Sequence, residues 1–230
     1  MRKRLGMSST EFLEEYALLP VHKEMQTPVV VLRMRDDETK SCPFVEAGGC
    51  SIYEDRPWPC RMYPVGLAAG PDTEDGWQGE RFYYLLEEEG CRGFEESEER
   101  TVREWMDDQG VEQYDRWGEM YKELTLHEFF QGGGQLSPER LQMFYTAMYD
   151  LDRFRTFVFE STLLEKFYVD EDQVEEMRYS DEALLRFGFH WLRFALFREA
   201  TMQLREDAVE AAQERLEKRV IENRRAAEAP

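Results

Sequence analysis

Cys42-Pro43-Phe44-Val45-Glu46-Ala47-Gly48-Gly49-Cys50-Ser51-Ile52-Tyr53-Glu54-Asp55-Arg56-Pro57-Trp58-Pro59-Cys60-Arg61-Met62-Tyr63-Pro64 is the stretch on which the fold turns. It carries three of the four cysteines of the 230-residue chain, and the fourth is Cys91. Between Cys42 and Gly93 the chain also places five of its nine prolines and eight of its fifteen glycines. Such punctuation predicts no long regular elements here. Only Phe82-Tyr83-Tyr84-Leu85-Leu86, well inside the segment, reads as a strand. A loop-rich segment of this length inside a compact domain needs something besides secondary structure to fix it, and a metal would do that.

Toward the N-terminus, Ser8-Ser9-Thr10-Glu11 fits a capping box that opens a short helix, with Phe12 and Tyr16 on one face and Pro20 beyond its end. Thr27-Pro28-Val29-Val30-Val31-Leu32-Arg33-Met34 reads as a strand, Asp36-Asp37-Glu38-Thr39 as a polar turn, and Cys42-Pro43-Phe44-Val45 as the returning strand of a short hairpin. Beyond Cys91 the pattern turns helical. Val102, Trp105 and Met106 keep the helical period up to Gly110, and Tyr114, Trp117, Tyr121 and Leu124 continue it. Gly132-Gly133-Gly134 reads as a flexible linker, then Ser137-Pro138 as an N-cap with proline in the first turn. One helix is expected to carry Leu141, Phe144, Tyr145, Met148, Leu151, Phe154 and Phe157, and another to run from Asp181 to Ala195. Residues 206–225 read as a charged helix or a frayed end. The expectation is therefore an α+β chain, mostly α: a small loop-rich cysteine region with a short β-hairpin over residues 1–105, then a helical bundle over 106–230, either as a separate region or as one continuous domain with it.

Net charge is −20, from 49 acidic against 29 basic residues. A surface this acidic repels phosphate backbones and anionic membrane faces, which argues against nucleic acid and membrane partners and leaves room for a protein partner. No stretch approaches a membrane span, and the Arg2-Lys3-Arg4 start lacks the apolar run of a signal peptide, so a cytoplasmic, reducing compartment is expected. There, cysteines serve more often as thiols or metal ligands than as disulfides.

The spacing is Cys42-x7-Cys50-x9-Cys60-x30-Cys91. Four thiolates would close a tetrahedral zinc site or hold the corners of an iron–sulfur cluster, because soft, charged sulfur suits both. Spacing alone leaves a second reading open, four small buried apolar side chains, since the Cys-x2-Cys knuckle is absent. Arg56, Arg61 and Arg92 flank the cysteines, and positive charge there would favour thiolate. Arg56 is read as a group that orients the site, with Tyr53, Tyr63 and Trp58 packing around it. His190 reads as a core or boundary residue, and His22 as a distant candidate ligand. His127 is the third histidine. The Phe144–Phe159 and Phe187–Phe197 aromatics read as core, and the acidic residues between Glu165 and Glu176 as a solvated face.

Cys42-Pro43-Phe44-Val45, Gly49-Cys50-Ser51-Ile52-Tyr53-Glu54-Asp55-Arg56-Pro57 and Cys60-Arg61-Met62-Tyr63-Pro64 together resemble the signature of the YkgJ-type cysteine-cluster family, a zinc- or iron-chelating domain. Cys91-Arg92-Gly93 resembles that family's later Cys-Pro-Gly region, with Arg92 in place of proline. The resemblance spans about residues 5–105. It implies Cys42, Cys50, Cys60 and Cys91 as metal ligands, with a zinc ion or an iron–sulfur cluster as cofactor. The family's Cys-x2-Cys-x2-Cys-Cys run does not precede Cys42, so either it lies upstream of this sequence or half of the ligands are lost. The function expected is a non-catalytic or accessory metal-binding module. The enzymatic alternative implied by the resemblance is cluster-dependent modification of a protein side chain, as in flagellin lysine N-methylases, although no S-adenosylmethionine motif is recognisable.

Overall fold

The computed structural model describes residues 1–20, 26–69, 81–88, 91–211 and, in the tail, 213–214, 217–218 and 220. His22, residues 70–80 of the cysteine segment and much of the 206–225 tail lie outside the described residues; 206–211 is helical. The architecture is α+β, mostly α, with small two-stranded antiparallel sheets. Two compact units are present, Met1–Gln135 and Leu136–Pro230, so residue 105, the boundary expected from sequence, falls inside the first unit.

The first unit opens with α1 (Arg2–Leu5) and α2 (Ser9–Tyr16). The Ser8 side chain accepts from the Glu11 amide at 3.2 Å, and the Glu11 carboxylate accepts from the Ser8 amide at 2.8 Å, completing the capping box. The chain then becomes extended as β1 (Ala17–Leu18), which pairs with β2 (Val31–Leu32). This corrects the expected Thr27–Met34 strand, which shortens to two residues and pairs upstream rather than with Cys42–Val45. Pro28 and Pro43 each remove a ladder donor, and Arg33 instead donates to the Tyr16 carbonyl at 2.8 Å. The hairpin of the cysteine region lies one step later: β3 (Val45–Glu46) pairs with β4 (Gly49–Cys50). Gly49 takes a φ of 114°, a backbone setting closed to residues with a Cβ.

A 3-10 turn at Tyr53–Asp55 leads to α3 (Trp58–Met62), which carries Cys60. Next, β5 (Val65–Ala69) pairs over its full length with β6 (Arg81–Leu85), the strand expected from Phe82–Leu86. Then come α4 (Val102–Gln109), ended by Gly110 in the left-handed conformation, α5 (Glu112–Thr125) and α6 (Glu128–Gln131). Met62, Val65 and Val111 form a buried cluster under Trp58, Val102, Trp105 and Met106, which fixes α3 against α4. Trp58 donates to Asp115 at 2.7 Å and Trp105 to the Met62 carbonyl at 3.0 Å, so both half-buried indoles keep a hydrogen-bond partner. Gly132-Gly133-Gly134 is a wound turn rather than a loose linker: the Gly134 amide donates to the Phe129 carbonyl at 2.8 Å.

The second unit is helical. It contains α7 (Pro138–Met148), α8 (Leu151–Glu160), α9 (Leu163–Lys166), α10 (Glu171–Tyr179) and α11 (Asp181–Leu192), plus the short pair β7 (Phe167–Tyr168) and β8 (Gln203–Leu204). The single helix expected over Leu141–Phe157 is interrupted at Asp150, which is buried and caps α8 through its side chain. A buried carboxylate accepting backbone donors ends one helix and begins the next. Phe154 is fully buried, its ring 5.4 Å from Trp191 and 6.3 Å from Phe187. The aromatic stripes are thus core. The acidic residues of α10 are exposed, with Asp170 capping the helix start.

Candidate metal centre

The cysteine hairpin is positioned from both sides. Arg35 donates to the Pro43 carbonyl at 2.7 Å and to the Val45 carbonyl at 3.4 Å, while the Ser51 amide donates to Phe44 at 2.9 Å. Phe44 is buried, 5.0 Å from the Tyr16 ring, which itself stacks on Phe12. Helix α2 therefore pins the residue two places after Cys42. Upstream, Asp37 accepts from the amides of Thr39 at 3.1 Å and Ser41 at 3.0 Å and from both their hydroxyls, organising the turn that delivers Cys42.

Cys42, Cys50 and Cys60 line one pocket of about 390 Å³. They reach it from three different local structures: a loop, β4 and α3. Tyr63, Trp105 and Gln109 complete part of its wall. Cys60 is exposed as a residue, yet partial burial of its thiol pushes its pKa up, and the neighbouring Cys42 and Cys50 push it further. Arg56 opposes the rise. Arg56 acts toward thiolate, as expected of a flanking arginine, but desolvation and the two neighbouring cysteines outweigh it, so the balance at Cys60 favours the neutral thiol.

Cys91 does not line this pocket. Its thiol lies against the Tyr63 hydroxyl, and together with burial and Glu88 it pushes the phenol up to about 12. Tyr63 thus both lines the three-cysteine pocket and contacts Cys91. Among the described residues no group of three or more His, Cys, Asp or Glu side chains is arranged to hold a metal ion as it stands. Cys42, Cys50 and Cys60 are the three cysteines that line the pocket. Their chemistry nonetheless suits a soft metal, and three donors on separate short elements can draw together around one.

The flanking arginines differ. Arg56 is 8% exposed, donates to the Tyr53 carbonyl at 2.5 Å and to the Gln109 side chain, and stacks over the Tyr53 ring at 3.7 Å. Arg61 donates to the carbonyls of Arg56, Gln109 and Glu54, tying α3 to the end of α4. Arg92 is exposed, pairs with Glu95 and does not line the pocket. Trp58 packs on the buried cluster rather than on the thiols, while Tyr53 and Tyr63 both reach the pocket. His127 caps α6 through Nδ1, and His190 lies half-buried on α11, so neither adds a ligand to the pocket.

Gln109 and Trp105 belong to the pocket, although from the sequence Trp105 is marked only as a helix-face residue and Gln109 is not singled out. The signal exists: Val102, Trp105, Met106 and Gln109 follow the helical period, so a polar glutamine falls in an apolar stripe. No protein-family model, curated protein or solved structure matches the chain.

Proposed function

We propose that this chain is a metal-binding protein whose centre, a zinc ion or an iron–sulfur cluster, is held by Cys42, Cys50 and Cys60, with Cys91 as the fourth ligand. The carrying observation is that three of four cysteines, from three separate local structures, line one pocket. The dense resemblance of Cys42–Pro64 to the cysteine-cluster signature supports the same residues. Cys91 lies one side chain away, against Tyr63 of the pocket wall. Binding would draw the thiols together and release their protons, offsetting the burial that now disfavours thiolate at Cys60. The role fits a non-catalytic or accessory module whose acidic surface would meet a basic protein partner.

The test is anaerobic purification followed by a visible spectrum and by zinc, iron and sulfide analysis. Brown protein with stoichiometric sulfide identifies a cluster, and colourless protein with one zinc identifies a structural ion. Serine at position 42, 50 or 60 is expected to abolish metal retention. Protein that holds neither metal after anaerobic reconstitution sinks the reading.

A further inference from the structure

We infer that Arg56 is the counter-charge of the metal–thiolate centre and that Gln109 holds it in that place; this rests on the metal-binding reading above. A guanidinium cannot shed its proton in a protein, so burying it calls for an anion or for full hydrogen bonding. Arg56 is one of two charged residues buried among the described residues. Its hydrogen-bond acceptors are a backbone carbonyl and an amide oxygen, both neutral, and its stacking partner is a phenol ring. Among the described residues no Asp or Glu pairs with it. Asp150, the other charged residue buried among the described residues, differs in having Arg153 at 3.7 Å.

The anion that Arg56 does not find among the described residues is the one the pocket would acquire. Arg56 lines the same pocket as Cys42, Cys50 and Cys60. Three or four thiolates around a divalent ion leave a centre of net negative charge, and a thiolate-held cluster is negative likewise. A fixed cation beside it stabilises that charge in a partly desolvated place, where electrostatic interactions are strongest. Arginine suits the task because its planar fork can hold two neutral acceptors and still present its charge. Gln109, 9% exposed on α4, supplies one of those acceptors and is itself anchored by donating to Asp108 at 2.8 Å. As a neutral amide it fixes the guanidinium without cancelling its charge, which a carboxylate at the same position would do.

This separates charge from shape. In the full-length chain, zinc affinity is read by chelator competition for wild type, Arg56→Lys, Arg56→Met and Gln109→Glu, with far-UV circular dichroism of each metal-free form. Arg56→Met is expected to weaken zinc binding by about 10-fold or more, the range for residues that support metal ligands from outside. Arg56→Lys keeps the charge and retains more affinity than Arg56→Met. Gln109→Glu preserves a hydrogen bond to Arg56 but neutralises it, and is expected to weaken zinc binding as well. A staple without electrostatic function predicts otherwise: Gln109→Glu would form an ion pair and leave zinc affinity unchanged. Should metal-free Arg56→Met fail to fold, Gln109→Glu decides alone. Wild-type affinity in Gln109→Glu, or in folded Arg56→Met, overturns the inference and leaves the metal reading standing. A wild-type chain that takes up neither zinc nor iron removes both.

Discussion

Asp37 shows how much one exposed side chain can organise. Its carboxylate accepts from two amides and two hydroxyls within four residues, and these bonds hold its pKa down to about 2. In the unfolded chain the same group titrates near the ordinary carboxylate value of about 3.9, so on acidification the unfolded state takes up the proton first. The stabilisation is therefore complete above about pH 4 and is lost as pH falls toward about 2. Denaturant midpoints measured across that window should fall less steeply for Asp37→Ala than for wild type, although the variant starts lower. The polar turn was legible from Asp36-Asp37-Glu38-Thr39, but the carboxylate's grip on Ser41, next to Cys42, was not, because it depends on where the turn closes. The cysteines differ in the same way. Composition marked all four, yet only geometry separates the three that share a pocket from Cys91, which contacts Tyr63.

Elements with local signals were legible, and those defined by a distant partner were not. The capping box at Ser8 and Glu11, the Ser137-Pro138 helix start and the Gly110 stop are each written within four residues, and all are present. Strand pairing is not local: β2 finds Ala17–Leu18 because that segment leaves α2 already extended, and no pattern within Thr27–Met34 records it. The long helix expected through Tyr149 breaks because Asp150 caps inward, and periodicity alone does not register a cap in mid-stripe. Glycines divide likewise. A Cβ at Gly134 would meet the Phe129 carbonyl at 2.5 Å, whereas one at Gly118, inside α5, meets nothing within 4 Å. Gly134→Ala is expected to destabilise by about 1–3 kcal/mol through overpacking. Gly118→Ala should stabilise by roughly 0.5–1 kcal/mol through helix propensity. Denaturant unfolding of the two variants checks both signs, and equal shifts would contradict the assignment of the Gly134 turn.

At the scale of the molecule, each compact unit carries its own apolar centre: Met62, Val65 and Val111 in Met1–Gln135, and the Phe154 aromatic group in Leu136–Pro230. Burial of Phe154 is complete, so Phe154→Ala is expected to cost about 3–5 kcal/mol in the helical unit. If the metal pocket depends only on the first unit, that variant should take up metal with wild-type stoichiometry below its unfolding temperature. Metal analysis after reconstitution checks this, and parallel loss of metal and helical stability would show that the units act as one. Sequence reading placed the change of character near residue 105, where cysteine-rich sequence ends. The first compact unit runs on to Gln135, with Val102, Trp105 and Met106 of α4 and the α5 N-cap Val111 packed with Met62 and Val65. No helix among the described residues is long and apolar enough to cross a membrane.

The position of Trp105 has an optical consequence. Its indole both lines the thiol pocket and donates to the Met62 carbonyl beneath it, so a chromophore within the pocket would lie close to an intrinsic fluorophore. An iron–sulfur cluster absorbs across the indole emission band and would drain its excited state, while zinc, transparent there, would leave the emission intact. The chain thus carries within its own wall a lamp whose dimming depends on what fills the space beside it.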